Sequence, residues 1–296
     1  MKRVIVTGAT GFIGRHSLAP LVERGYEVHA VGRNAGDTHR GIRWHRVDLL
    51  EDENAFRFVS EVKPTHILHF AWYAKPPDYW SSLENLRWVA ASLALMRAFV
   101  AVGGRRIVSA GTCAEYAWTK TLTCSELTTT LAPATLYGAS KHALQQIITA
   151  TAREKQMSSA WGRVFSLYGP SEHPSRLVSS AILSLLNNQP AICKTGSAVR
   201  DYLHVADVAS AFVSLLDSEV EGAVNIASGR DVRLGDLVQL IGDKLRRADL
   251  VTARHADSNQ PQRLSADITR LTELGWTPRF NLDSGLSDTI AWWSGR

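Results

Sequence analysis

The stretch that most constrains this chain is its first fourteen residues. Arg3-Val4-Ile5-Val6 is a short apolar, β-branched run, followed at once by Thr7-Gly8-Ala9-Thr10-Gly11-Phe12-Ile13-Gly14. A run of that length closed by glycine reads as a buried parallel strand. Beyond it Ile13, Leu18, Leu21 and Val22 recur at helical intervals, so the order is strand, glycine loop, helix. A helix N-terminus in that place offers free N–H groups and a positive dipole end to a pyrophosphate. Gly8 allows the tight turn, Gly11 the approach of backbone to phosphate, and Gly14 the close packing of helix on strand. The spacing is G-x-x-G-x-x-G, distinct from the broader G-x-G-x-x-G fingerprint.

The same alternation continues. Residues 26–31, 42–47, 66–70, 107–110 and 160–165 read as strands, with helices over 51–62 and 81–102 and within 135–153. This predicts an α/β fold, a Rossmann-type doubly wound parallel sheet covered on both faces. After Tyr168-Gly169-Pro170 the pattern loosens into helices over 177–186, 205–216 and 234–245, a strand at 224–227 and a last helix ending in Trp292-Trp293. The expected organisation is a cofactor-binding domain over 1–168, with a return segment near 199–218, and a smaller α/β substrate-binding domain over 169–296.

Composition narrows the class. The chain is 45% hydrophobic and 21% charged, the balance of a soluble globular enzyme. A net charge of +5 is scattered, so no nucleic-acid partner is expected. Three cysteines without metal-type spacing and ten histidines without an H-x-x-x-H pair predict no metal site. No membrane-length apolar run and no signal peptide are visible, so the expected location is cytoplasmic. The tryptophans read as packing residues.

Two features carry chemistry. Tyr137-Gly138-Ala139-Ser140-Lys141 sets a phenol and an ammonium four apart, on one helix face about 5–6 Å between Cβ atoms. A lysine that close is expected to draw the phenol from about 10 toward about 8, where it exchanges protons near neutral pH. The second feature is Val108-Ser109-Ala110-Gly111-Thr112-Cys113-Ala114-Glu115-Tyr116, which brings a hydroxyl to the C-terminal edge of a central strand. Ligands of open parallel sheets bind off that edge. Tyr137 and Lys141 as a plain helix face, and Thr112 as a strand-end cap, are the structural alternatives.

Taken together, the glycine loop, Thr112 and the Tyr137/Lys141 pair resemble the extended short-chain dehydrogenase/reductase family, in its nucleotide-sugar epimerase/dehydratase-like branch. Further matches are Asp48-Leu49, Arg163-Val-Phe-Ser-Leu-Tyr-Gly-Pro170, Gly196-Ser-Ala-Val-Arg200-Asp201-Tyr-Leu-His-Val205-Ala-Asp207-Val208 and Leu274-Gly275-Trp276-x-Pro278. The resemblance implies a catalytic triad of Thr112, Tyr137 and Lys141. It also implies cofactor contacts from Gly8, Thr10, Gly11, Phe12, Ile13, Gly14, Asp48, Leu49, Phe70, Ala71, Tyr137 and Lys141. A nucleotide-sugar substrate would meet Trp72, Thr112, Cys113, Ala114, Ser166, Arg176, Arg200 and Arg263. For Arg200 an ion pair with Asp201 is the alternative to phosphate contact. A homodimer through helix 81–102 and the helix after Tyr137 is likewise implied.

The departures from the family pattern are informative. An NAD-preferring relative carries an acidic residue at the end of its second strand, where this chain has Gly32 followed by Arg33. Space and positive charge there predict NADP(H), with Arg33 at the 2′-phosphate and Arg15 either assisting or facing solvent. Trp88 stands where relatives place an asparagine that supports the catalytic lysine, and Ser166 replaces another asparagine. Asp257 stands where relatives often have an arginine, with Arg254 and Arg263 as substitutes. Dehydratases follow the catalytic hydroxyl with an Asp-Glu pair, whereas Cys113-Ala114 follow it here and Glu115 comes one place late. Epimerases recycle a tightly held NAD. The tail over 259–281 is similar to the 4-keto-6-deoxysugar reductases related to CDP-abequose synthase. A ketone reductase is the reading that follows, with an epimerase or a non-catalytic cofactor sensor as alternatives.

Overall fold

A computed structural model describes residues 2–34, 41–118, 121–254 and 261–296. The front of the chain runs β1 (Arg3–Thr7), α1 (Gly14–Glu23), β2 (Glu27–Gly32), β3 (Ile42–Arg46), α2 (Asp52–Val62) and β4 (His66–His69). It continues with α3 (Glu84–Ala101), β5 (Arg106–Thr112), β6 (Thr121–Cys124), α4 (Leu136–Glu154), β7 (Ser158–Val164) and β8 (Ser166–Tyr168). Then come α5 (Leu177–Leu186), β9 (Ala191–Cys193), β10 (Val199–His204), α6 (Val205–Asp217), β11 (Gly222–Ile226) and β12 (Asp231–Arg233). The chain closes with α7 (Leu234–Leu245), β13 (Val251–Ala253), β14 (Arg263–Ala266), α8 (Thr269–Thr272) and α9 (Leu282–Ser294).

Seven strands form one parallel sheet in the order β11-β7-β5-β4-β1-β2-β3. This is the doubly wound Rossmann-type α/β arrangement that the strand–helix alternation predicts. Its strands are buried on both faces, which is why they read as continuous apolar runs. Val4, Val6 and Val108 point to the side of α1 and α6, where Leu18, Leu21, Val208 and Phe212 pack on them. Ile5, Ile67 and Ile107 point the other way, under Phe58, Leu95, Phe99, Leu144 and Ile148 of α2, α3 and α4. Strand order reverses between β1 and β4, so a crevice opens at their C-terminal ends.

A second sheet runs β12-β10-β14-β6, with β8 paired to the end of β10. The chain passes between the two sheets more than once. β6 comes from the front half, while β11 from the back half completes the large sheet and α6 packs on its face. Most of these shorter strands are absent from the sequence reading, because elements of three or four residues carry no legible alternation. The helix expected from Ser81 starts at Glu84, since Asn85 turns its amide back onto the carbonyls of Tyr79 and Ser82. The Leu274-Gly275-Trp276-x-Pro278 motif fastens the tail to α6. Trp276 Nε1 donates to Ser210 Oγ (2.9 Å), and Asp207 accepts the N–H groups of Arg279 and Phe280 (2.9 Å each).

Candidate active site

The glycine loop and the end of β4 form one cradle. Gly8 has φ +63°, and a Cβ there would stand 2.8 Å from the Ala71 nitrogen. A Cβ on Gly14 would stand 2.2 Å from the Gly8 carbonyl oxygen, so only glycine lets α1 begin this close to β1. Thr7 Oγ1 accepts the N–H groups of Phe70 (3.2 Å) and Ala71 (3.1 Å) and donates to His69 Nδ1 (2.7 Å). Ser92 Oγ spends its proton on the Trp88 carbonyl (2.6 Å), so His69 Nε2 carries the proton that bridges to Ser92 at 2.9 Å. Burial, and then the charge of Lys141, hold His69 down at about 3, so the ring is neutral. The Phe70 side chain turns into the core, edge-on to Phe212 at 5.0 Å.

The other residues expected at the cofactor lie as follows. The first turn of α1 presents its N–H groups at the loop, with Phe12 and Ile13 half-buried beside it. Thr10 lies against the end of β2, where a Cβ on Gly32 would be 3.2 Å from its methyl. Arg33 follows and is exposed. Arg15 donates to the carbonyls of Thr10 (2.5 Å) and Gly11 (3.2 Å) and to Ser171 Oγ (2.8 Å), so its guanidinium clamps the loop. Asp48 caps the Leu50 N–H at 3.1 Å, and Leu49 is buried. A nicotinamide dinucleotide fits this cradle, whose glycines leave the space that side chains would fill.

The second half of the site is built where β5 meets α4. Thr112 closes β5, and its hydroxyl accepts the Ala114 N–H at 3.2 Å. Thr135 caps α4 by accepting the Gly138 N–H at 3.1 Å. A Cβ on Gly138 would be 2.3 Å from the Ala114 carbonyl, so the glycine between Tyr137 and Lys141 lets the helix touch the Thr112 turn. Lys141 Nζ donates to the Ala110 carbonyl (2.8 Å) and sits 3.7 Å above the Trp72 ring centroid. Burial lowers Lys141 to about 7, and only the charge of Glu115 opposes it.

The expectation that Lys141 draws the phenol down is corrected. Burial pushes Tyr137 above the usual tyrosine range; Tyr79 adds to the rise, and a hydrogen bond from Thr112 opposes it. Desolvation of a phenolate outweighs a lysine that is itself buried and held at Ala110. The result is a phenol that keeps its proton and so can donate it.

Sequence reasoning missed the aromatic walls of this site. Tyr79 meets Tyr137 edge-on at 5.0 Å and Trp80 meets it at 5.8 Å, with Trp118 at 5.7 Å from Trp80. The available signal was aromatic density, since Phe70, Trp72, Tyr73, Tyr79 and Trp80 crowd the segment that follows β4. Arg176 stands over Tyr79, its guanidinium carbon 5.2 Å from the ring centroid. Trp72 gives its indole N–H to Asn85 Oδ1 at 2.9 Å.

The remaining predicted substrate residues divide. Cys113 and Ala114 lie in the turn after β5, and burial pushes the Cys113 thiol up to about 12 against the pull of the nearby Arg200. Arg200 gives one donor to the Val199 carbonyl at 2.8 Å, while Asp201 accepts from Ser228 N and Oγ (2.7 Å each) and Gly229 N (2.8 Å). Ser166 opens β8 opposite Tyr202. Arg263 is held by Asp231 at 2.8 Å and Ser265 Oγ at 3.3 Å on the small sheet. Asp257 lies outside the described residues.

Comparison with known proteins now bears on this geometry. The model of the NAD dependent epimerase/dehydratase family matches residues 4–227. The chain belongs to this family. UDP-glucuronic acid decarboxylase 1 of Xenopus tropicalis is 26% identical over 98% of this chain and 71% of its own length. The dTDP-4-dehydro-6-deoxyglucose reductase of Escherichia coli is 24% identical over 97% of this chain and 96% of its own length. The structure of Thermus thermophilus UDP-glucose 4-epimerase in complex with NAD superposes at a TM-score of 0.86, with 26% identity and 99% of each chain covered.

Within the epimerase/dehydratase family, which acts on nucleotide sugars with a nicotinamide dinucleotide, the position of Glu115 matters. Its carboxylate pairs with Arg163 Nε (2.8 Å), accepts the Trp161 indole N–H (2.8 Å) and the Thr112 N–H (2.9 Å), and is fully buried. All of these contacts are structural. Among the described residues no group of three His, Cys, Asp or Glu side chains could hold a metal ion, and no helix is long and apolar enough to cross a membrane.

Proposed function

We propose that the protein is a cytoplasmic NADPH-dependent reductase of a keto group on a nucleotide-activated 6-deoxy sugar. The observation that carries this reading is the absence of a second acid or base after Thr112. Cys113 and Ala114 cannot serve, and Glu115 is committed to Arg163 and Trp161. A site offering one phenolic proton suits a reaction that takes up one proton beside a hydride.

In this reading Gly8, Gly11, Gly14 and the α1 N-terminus hold the pyrophosphate, Asp48 and Leu49 flank the adenine, and Arg33 meets a 2′-phosphate beside Gly32. NADPH, when bound, supplies the hydride. Thr112 donates a hydrogen bond to the substrate carbonyl oxygen and so fixes it. Tyr137 Oη passes its proton to that oxygen as negative charge develops there, and is reprotonated from solvent. Lys141 stabilises the phenolate for the interval in which it exists. Residues 1–168 with 199–218 serve the cofactor, and 169–296 the substrate, with Arg176 and Arg200 placed for its phosphates. The aromatic walls of Tyr79, Trp80 and Trp118 suit the apolar methyl face of a 6-deoxy sugar.

A 4-epimerase is the second reading, favoured by kinship with enzymes such as the Thermus one, since Thr112 and Tyr137 would serve a reversible oxidation equally well. The experiment is NADPH oxidation with a panel of 4-keto-6-deoxy nucleotide sugars, run beside redox-neutral conversion of UDP-hexoses. Turnover of a keto sugar with stoichiometric loss of NADPH supports the reductase. Conversion without net oxidation selects the epimerase, and neither activity removes both.

A further inference from the structure

The Lys141 ammonium rests on the face of an indole. We propose that Trp72 is a positioning residue, a cation–π seat that fixes where the Lys141 ammonium stands in the site. The inference rests on the reading of Tyr137 and Lys141 as the reacting pair, and it adds a residue to that pair.

The geometry is specific. Lys141 Nζ lies 3.7 Å from the Trp72 ring centroid, well inside the range of about 6 Å over which a cation is held by a ring. Its one hydrogen bond among the described residues goes to the Ala110 carbonyl at 2.8 Å. The indole is itself locked. Its N–H is given to Asn85 Oδ1 at 2.9 Å, and the Asn85 amide is anchored on the carbonyls of Tyr79 (2.7 Å) and Ser82 (2.9 Å). Asn85 is fully buried, so a continuous line of contacts runs from Ser82 through Asn85 and Trp72 to Lys141, linking the start of α3 to the site.

The polar residues around Lys141 offer little else to hold it. His69, from β4, is neutral; Glu115, after β5, is the one charge that favours the ammonium and is already paired with Arg163; Tyr137, on α4 itself, keeps its proton. Trp161, from β7, is farther away at 5.9 Å. Burial lowers Lys141 to about 7, and the indole face 3.7 Å from its ammonium favours the charged form.

The test reads the pair directly. In the full-length protein labelled with 15N, the Trp72 indole N–H resonance is identified by its loss in Trp72→Phe and followed against pH. It should titrate near pH 7 and stop titrating in Lys141→Met. An indole signal that does not move, or that moves equally in Lys141→Met, overturns the proposal whether or not the reductase reading stands. Where wild-type turnover is observed, Trp72→Leu should shift the lysine limb of the kcat/KM profile down by about one unit. Trp72→Phe, which keeps an aromatic face, should restore most of that shift. An unshifted Trp72→Leu profile also overturns the proposal.

Discussion

At the scale of single residues, the proposed reaction would draw on a phenol kept protonated by burial and a lysine that the same cause lowers to about 7. Tyr137→Phe should lower turnover by at least about a hundredfold while leaving the fold and cofactor affinity intact. Steady-state rates beside an NADPH-binding titration check this, and unchanged turnover would remove Tyr137 from the mechanism. Arg33→Ala should weaken NADPH far more than NADH, since only the former carries the 2′-phosphate; equal weakening of both would dissociate Arg33 from that group. Tyr137 and Lys141 were legible as candidates because they sit in an ordered motif with fixed spacing, and Arg33 because it departs from the family pattern. The sign of the tyrosine shift was not, because spacing of four along a helix says that two side chains share a face and nothing about how dry that face is.

At the scale of elements, β5 and its following turn work as one unit with α4. Glu115 and Arg163 are a fully desolvated pair, and Glu115 also receives the Thr112 and Trp161 N–H groups. Glu115→Ala leaves Arg163 charged in the core without its carboxylate, holding among the described residues only the Tyr116 hydroxyl at 3.2 Å, which should destabilise the protein by about 3–5 kcal/mol. Urea unfolding measures this, and a loss under about 1 kcal/mol would show that the pair with Glu115 adds little to stability. From the sequence Glu115 is an acidic residue one place late for the Asp-Glu pair that dehydratases of the family carry. Its partner is 48 residues later on a neighbouring strand, and only the parallel register of β5 and β7, which sets Gly111 opposite Arg163, brings them together. The aromatic walls escaped for a related reason, since Tyr79 and Trp80 reach Tyr137 from one segment and Trp118 meets Trp80 from another.

At the scale of the whole molecule, α3 with its N-terminal cap and α4 present Leu83, Leu86 and Ile147 at 72%, 53% and 42% exposure. Surface apolar side chains in company on packed helices suit a second copy of the chain. The expected outcome is a homodimer, and Leu86→Asp with Ile147→Asp should shift it to monomer by light scattering after gel filtration; a wild-type monomer at micromolar concentration would refute the interface. The sequence alone determined the parallel sheet and the glycine loop between β1 and α1, because apolar periodicity and motif spacing are local properties of the chain, and its family resemblance put forward Thr112, Tyr137 and Lys141 as the candidate set. Tertiary structure alone decided that Glu115 is structural, that the Lys141 ammonium lies on Trp72, and that Tyr137 holds its proton. Each of these depends on desolvation and on partners distant in sequence, and both exist only once the sheet has closed around the site.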